Sequence, residues 1–209
     1  MSLSEQTVYL VDDDPSIRKS MERLIKSFGY SVKSFSSAKD FLGHHRCEGP
    51  CCLVLDVRMP DLSGLALQEM MDDSELQMPI VFITGHGDIP TTVQAMKAGA
   101  IDFLPKPCEE KKLMEAVREG LRRDQDQRDQ QEELREIKSR LACLTPREFE
   151  VFTLVISGML NKQIAGVLGT AEKTIKVHRA RVMSKMKVLS LAELVRHAER
   201  LGIKPREIE

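Results

Sequence analysis

Five short apolar segments, each followed by an amphipathic one, constrain this chain more than any other feature. Thr7 to Val11, Ser31 to Phe35, Cys51 to Leu55, Pro79 to Ile83 and Ile101 to Leu104 read as strands. Pro15 to Phe28, Ala38 to His45, Leu65 to Met71, Ile89 to Ala98 and Glu109 to Arg123 read as helices. In the first of these, Ile17, Met21, Leu24, Ile25 and Phe28 recur at three- and four-residue spacing until Gly29 stops the helix. Five β-α units in succession predict a five-stranded parallel, doubly wound sheet with helices on both faces. In such a sheet the ligand site lies at the carboxyl ends of the strands.

The remainder is built differently. Residues 122–133 carry no apolar side chain and read as a solvated, helical linker. Leu134, Ile137, Leu141 and Leu144 then fall at four-three spacing, which fits either a short coiled-coil seam or packing on a neighbouring domain. Beyond them the pattern is all helical. Thr145-Pro146-Arg147-Glu148 and Ser190-Leu191-Ala192-Glu193 are both capping-box starts. The expected organisation is a first domain over 1–123, a charged linker over 124–140 and an all-α domain over 141–209.

The net charge of −1 conceals an asymmetry. Residues 1–123 hold 15 Lys/Arg and 19 Asp/Glu, whereas residues 141–209 hold 12 and 7. A basic back half points to a polyanion partner for that half. Five cysteines without framework spacing read as reduced thiols. His44-His45-Arg46-Cys47 and Cys51-Cys52 contain possible metal ligands. Cys51 and Cys52 are adjacent on a strand, however, and point to opposite faces, so packing is the stronger reading. No apolar run suits a membrane span and no signal core opens the chain, so the expectation is a cytoplasmic protein with no membrane partner.

Asp12, Asp13 and Asp14 follow the first strand, Asp56 the third and Thr84 the fourth; Lys106 lies just past the fifth. The doubly wound sheet brings these positions to one edge. Crowded carboxylates there repel one another unless a cation joins them, and Mg²⁺, or Mn²⁺, suits oxygen ligands. A hydroxyl and an ammonium complete a phosphoryl site, with Asp56 as an in-line nucleophile. Taken singly, each residue has a plainer reading: a turn former, a cap or a surface lysine.

Together, Asp12-Asp13, Asp56 with Val57-Arg58-Met59-Pro60 and Gly64, Thr84, and Lys106-Pro107 resemble a response-regulator receiver of flavodoxin-like fold. The resemblance implies that Asp56 is the phosphoacceptor and that Thr84 and Lys106 bind the phosphoryl group. It makes Asp13, Asp56, the Arg58 main-chain carbonyl and, through water, Asp12 the metal ligands, and Phe103 the switch aromatic. Cys108 departs from the phenylalanine that many relatives carry there. An enzyme reading competes, because Asp12-x-Asp14 also resembles the nucleophile motif of haloacid-dehalogenase-type phosphatases, with Asp14 as acid–base. That alternative leaves Asp56 and the basic domain unexplained, so the expectation is a regulator and not an enzyme.

Asn161 to Leu168, a turn at Gly169-Thr170 and Glu172 to Lys187 read as helix-turn-helix. Ile175, Val182 and Met186 share the core stripe of the second helix. Lys173, Val177, Ala180, Arg181 and Ser184 lie opposite, with Lys176 beside them and His178 flanking the buried stripe. Lys and Arg neutralise phosphates or reach guanine, and Val177 can touch a thymine methyl. The candidate DNA contacts are therefore Lys173, Lys176, Val177, His178 and Arg181. Ala171 lacks the side-chain cap that a Ser would give this helix. Leu144 to Glu148, Asn161 to Ala165, Thr174 to His178 and Lys185 resemble the LuxR/FixJ-type domain. The joint resemblance covers nearly the whole chain. It implies a sensor histidine kinase, promoter DNA and RNA polymerase as partners, and a homodimer on phosphorylation through Val93, Lys97 and Asp102. A DNA binder indifferent to phosphate is a further reading.

Overall fold

The computed structural model describes residues 6–46, 48–72, 76–85 and 89–206, so Cys47 of the cysteine cluster lies outside the described residues. The chain divides into two compact units, Met1–Arg128 and Asp129–Glu209.

In the first unit the elements are β1 (Thr7–Val11), α1 (Pro15–Ser27), β2 (Ser31–Phe35), α2 (Ala38–Leu42), β3 (Cys51–Asp56), α3 (Gly64–Asp72), β4 (Ile80–Thr84), α4 (Ile89–Lys97) and β5 (Asp102–Pro105), followed by the start of α5 (Glu110–Ala142). The sheet order is β2-β1-β3-β4-β5 and every pairing is parallel, as the β-α alternation requires. β1, β3 and β4 are buried along their whole length, which is why they read as continuous apolar runs.

Side chains alternate across the sheet and fill two cores. Tyr9, Leu53, Leu55 and Phe82 face Phe41 of α2, Leu67 of α3 and Ala95 of α4. Val8, Leu10, Val54 and Val81 face Ile25 of α1 and Leu113 and Val117 of α5. Each large side chain so buried contributes roughly 1.5–3 kcal/mol. Cys51 belongs to the first core and Cys52 to the second, so the two thiols point apart as expected.

The stretch read as a solvated linker is helical throughout, because α5 runs unbroken for 33 residues. Its two ends are claimed by different units, which divide at Arg128 and Asp129. Asp124 is fully buried: its carboxylate accepts from the Cys51 backbone N–H at 2.8 Å, from Arg128 Nε at 2.8 Å and from the Arg46 guanidinium. Arg128 also donates to the Glu48 carbonyl at 2.6 Å. A buried carboxylate needs such partners, and with them residues 124–128 become part of the first unit. At the other end Ile137 is buried in the second unit's core, with Leu141 and Leu144 packed on it.

The second unit continues with α6 (Pro146–Ile156), α7 (Asn161–Val167), α8 (Glu172–Met186) and α9 (Leu191–Arg200) around Val151, Phe152, Val155, Ile164, Ile175, Val182, Met186 and Leu194. The Thr145 box is complete: Thr145 Oγ1 accepts from the Glu148 N–H at 3.3 Å and Glu148 Oε2 accepts from the Thr145 N–H at 2.9 Å. At α9, Ser190 Oγ accepts from the Glu193 N–H at 3.2 Å, but the Glu193 carboxylate takes the Leu189 N–H instead of closing a box on Ser190.

Gly64 opens α3 where there is no room for a side chain. A Cβ there would strike the Asp56 carbonyl oxygen and come within 3.1 Å of Phe82 Cε1 and of Val57 Cα. Gly64→Ala should therefore cost about 1–3 kcal/mol in urea unfolding of the first unit. An unchanged midpoint would mean that the turn after Asp56 yields without cost.

Candidate functional site

Strand register decides which side chains meet. Val11 pairs with Leu55, so Asp12 and Asp56 end adjacent strands. Asp56 pairs with Ile83, and Thr84 pairs with Pro105, so Thr84 and Lys106 follow at the same edge. The Lys106 N–H donates to the Thr84 carbonyl at 2.7 Å, which ties the two loops together.

The side chains converge accordingly. One carboxylate oxygen each from Asp12, Asp13 and Asp56 lies within 4.8 Å of the others. This is the metal-capable cluster among the described residues, and its hard oxygen donors fit Mg²⁺. Asp12 is fully buried, Asp56 nearly so, and Asp13 is exposed. Lys106 Nζ donates to Asp12 Oδ2 at 2.6 Å and to Asp56 Oδ2 at 2.5 Å. Asp56 Oδ1 accepts from the Arg58 N–H at 3.1 Å, which sets the start of the loop that carries the Arg58 carbonyl. Thr84 is buried at its strand end.

Burial pushes the Asp12 carboxyl above its usual range, and the nearby Asp56 charge adds to this, although the Lys106 bond opposes both. At Lys106 burial pulls the other way but is outweighed by the bonds to Asp12 and Asp56, so its ammonium is held more firmly than usual. Both shifts follow from one ammonium shared between crowded carboxylates, and the lysine stays firmly charged.

Phe103 is half-buried against the first core, its ring centroid 6.1 Å from that of Phe82. On the surface formed by α4 and β5, Val93 is 45% exposed, Lys97 is exposed and Asp102 is half-buried, with Oδ1 accepting from the Phe103 N–H at 2.7 Å. Ile89 and Met96, which sequence reasoning passed over, are exposed on α4 as well.

On α8 the buried stripe is Ile175, Val182 and Met186. Lys173, Lys176, Val177 and Arg181 are all exposed, as is Ala180. His178 departs from them. It is half-buried, with Nδ1 enclosed and, among the described residues, without a hydrogen-bond partner, so it packs beside the stripe instead of sharing the exposed face. Ala171 starts α8 with no side-chain cap, as its residue type dictates. Arg179, not singled out from sequence, donates to Asn161 Oδ1 at 3.3 Å and ties α8 to α7.

Other residues escaped the sequence reading. Arg18 donates from Nη1 to the Asp12 carbonyl at 2.6 Å and to the Asp13 carbonyl at 3.0 Å. The available signal was a cation in the first turn of a helix, where the macrodipole disfavours it. Gln68 on α3 is buried and donates to the Ala98 carbonyl beyond the end of α4 at 3.0 Å. Glu148 does more than cap: Lys185 Nζ donates to it at 2.5 Å and to the Cys143 carbonyl at 3.0 Å.

Comparison with known proteins bears on both units. Residues 8–118 match the response regulator receiver domain, and residues 142–198 match the bacterial regulatory proteins of the luxR family. The chain belongs to the two-component response regulators that join a receiver domain to a LuxR-type DNA-binding domain. Within that class it is similar to relatives of the FixJ type. It is 46% identical over 202 residues to Nodulation protein W of Bradyrhizobium diazoefficiens, covering 97% of this chain and 89% of that protein. It is 39% identical over 203 residues to Transcriptional regulatory protein FixJ of Rhizobium meliloti, covering 97% of this chain and 100% of that one. Among solved structures it is similar to the response regulator StyR, with a TM-score of 0.85 at 49% identity over 94% of this chain and 99% of that chain. Full-length FixJ from B. japonicum gives a TM-score of 0.55 at 40% identity over 94% of this chain and 97% of its own.

The Glu148 carboxyl is held down to about 2, first by the Lys185 bond and then by the Thr145 backbone. Its stabilising contribution is therefore complete above the ordinary glutamate range and is lost as pH falls through the folded value. Glu148→Gln should melt lower than wild type at pH 7, and the gap should close towards pH 2. Thermal melts of the second unit's helices at both pH values check this; a gap independent of pH would contradict it.

Proposed function

We propose that Asp56 accepts a phosphoryl group from the phosphohistidine of a sensor histidine kinase, and that this modification controls dimerisation and promoter binding. The observation that carries the reading is the convergence of Asp12, Asp13, Asp56 and Lys106 at the carboxyl edge of the sheet. An Asp56 carboxylate oxygen attacks phosphorus in line, the histidine nitrogen leaves and an acyl phosphate forms. Asp13, Asp56 and the Arg58 carbonyl would hold Mg²⁺, with Asp12 acting through water. Bound there, the ion supplies charge neutralisation to the phosphoryl oxygens. Lys106, already firmly charged, meets one phosphoryl oxygen, and the Thr84 hydroxyl meets another.

The phosphatase alternative needs Asp14 as a free acid–base. Asp14 Oδ1 instead accepts from the Ser16 N–H at 2.7 Å and the Ile17 N–H at 3.3 Å as the cap of α1, which favours a phosphoacceptor over a turnover enzyme.

Phosphate on Asp56 draws Thr84 towards it and opens space for Phe103, reshaping α4 and β5. Val93, Lys97 and Asp102 on that surface then form a two-fold contact in which Lys97 of one protomer faces Asp102 of its partner. The dimer presents two copies of α8 to promoter DNA, with Lys173, Lys176 and Arg181 on phosphates or guanines and Val177 on a thymine methyl. RNA polymerase is the downstream partner, and the cytoplasm the setting. Among the described residues no helix is long and apolar enough to cross a membrane.

Labelling with a small acyl phosphate tests the reading. Wild type with Mg²⁺ should acquire one acid-labile phosphate, and EDTA or Asp56→Asn should abolish it. Stoichiometric labelling of Asp56→Asn would overturn the assignment.

A further inference from the structure

We propose that Arg18 is a positioning residue for the divalent-cation end of the receiver site, acting on Asp12 and Asp13 through their main chain. The inference rests on the reading that Asp12, Asp13 and Asp56 hold Mg²⁺.

Arg18 lies in the first turn of α1. A cation there opposes the positive end of the helix dipole, so the position is poor for helix stability. Its side chain is half-buried and turned back on the preceding loop. Nη1 bridges two successive carbonyls, those of Asp12 at 2.6 Å and Asp13 at 3.0 Å. Three aspartates lie within six residues, yet Arg18 forms no ion pair among the described residues; it is the backbone of the acidic turn that it holds.

The two acids depend on that hold unequally. Asp12 is fixed from several sides: its N–H donates to the Phe35 carbonyl at 3.3 Å, Oδ1 accepts from the Asp14 N–H at 2.9 Å and Oδ2 accepts from Lys106. Asp13 is exposed, and among the described residues its carboxylate makes no hydrogen bond or ion pair. The direction of that carboxylate is therefore set by the peptide units on either side, and Arg18 binds the carbonyls of both Asp12 and Asp13. Without the clamp the turn can rotate, and an open Asp13 carboxylate can leave the 4.8 Å cluster. Groups that orient metal ligands act in this way on affinity.

Charge and position predict opposite signs. Arg18 carries a positive charge close to a cation site, so removing it relieves repulsion and tightens Mg²⁺ binding if charge alone matters. If the clamp matters, removing it weakens binding. Arg18→Met removes fork and charge together; Arg18→Lys keeps the charge but replaces the planar fork with a point donor.

The test is isothermal titration of the full-length chain with Mg²⁺, alongside thermal melts in EDTA. Asp13→Asn serves as the control for the cation site itself. The expected result is that Asp13→Asn abolishes binding, Arg18→Met weakens it about tenfold and Arg18→Lys falls between wild type and Met. The EDTA melts should stay close to wild type, which a merely structural role for Arg18 would not give. If Asp13→Asn loses binding while Arg18→Met binds as tightly as wild type or more tightly, the cation site stands and the clamp is overturned. If wild type binds no Mg²⁺, the cation-site reading falls and takes this inference with it. Should Arg18→Met lose its fold in EDTA, Arg18→Lys decides: weaker binding with an unaltered melt supports the clamp, and unaltered binding overturns it.

Discussion

Like charge gathered in one place is the constraint on which the receiver unit depends. Three carboxylates meet at the end of a buried sheet, and Lys106 is the ammonium that bridges two of them. Burial alone would drive such a group towards protonation, and Asp12 shows that pressure. The lysine relieves part of it through bonds that in turn fix its own charge. A site left with negative charge and open oxygen donors is suited to a hard cation, and a cation plus a lysine is suited to a phosphoryl group. The fold's contribution is to hold this unfavourable arrangement in place. Register aligns the strand ends, Gly64 lets the turn after Asp56 pass close to the backbone, and Arg18 secures the turn after β1.

The same logic of buried charge with assigned partners recurs away from the site. Asp124 sits at the opposite, amino-terminal end of β3, where Arg46, Arg128 and the Cys51 N–H satisfy it. In the DNA-binding unit Glu148 joins a helix cap to Lys185 of α8, so α8 is anchored at its last turn by the group that starts α6. In each case one carboxylate organises backbone and cation together, which is how a buried acid is accommodated.

Much of this was legible in the sequence because its physical causes are local. Short apolar runs and three- or four-residue spacing depend on neighbours in the chain, so all five strands and most of their helices fall within a residue or two of expectation; the exceptions are α2, which stops at Leu42 instead of reaching His45, and α5. Asp12, Asp13, Asp56, Thr84 and Lys106 could be grouped because a doubly wound sheet has one carboxyl edge. The exposed face of α8 followed from its period, and so did the place of His178 at the margin of the buried stripe. Illegible were features set by distant partners. The residues after Arg123 look solvated by composition, yet Asp124 is buried by Arg46, 78 positions earlier. The clamp of Arg18 on two carbonyls leaves no mark in a helical pattern beyond a cation at the wrong end of the dipole.

In the proposed function, chemistry at the sheet edge governs the exposed face of α8. The most direct measurement is the affinity of the full-length chain for a target promoter fragment, with molecular mass by light scattering, in Mg²⁺ with and without beryllofluoride as a phosphoryl mimic. The mimic should convert monomer to dimer and tighten promoter binding, and Asp56→Asn should respond in neither readout. A promoter affinity and a mass that the mimic leaves unchanged in wild type would contradict it.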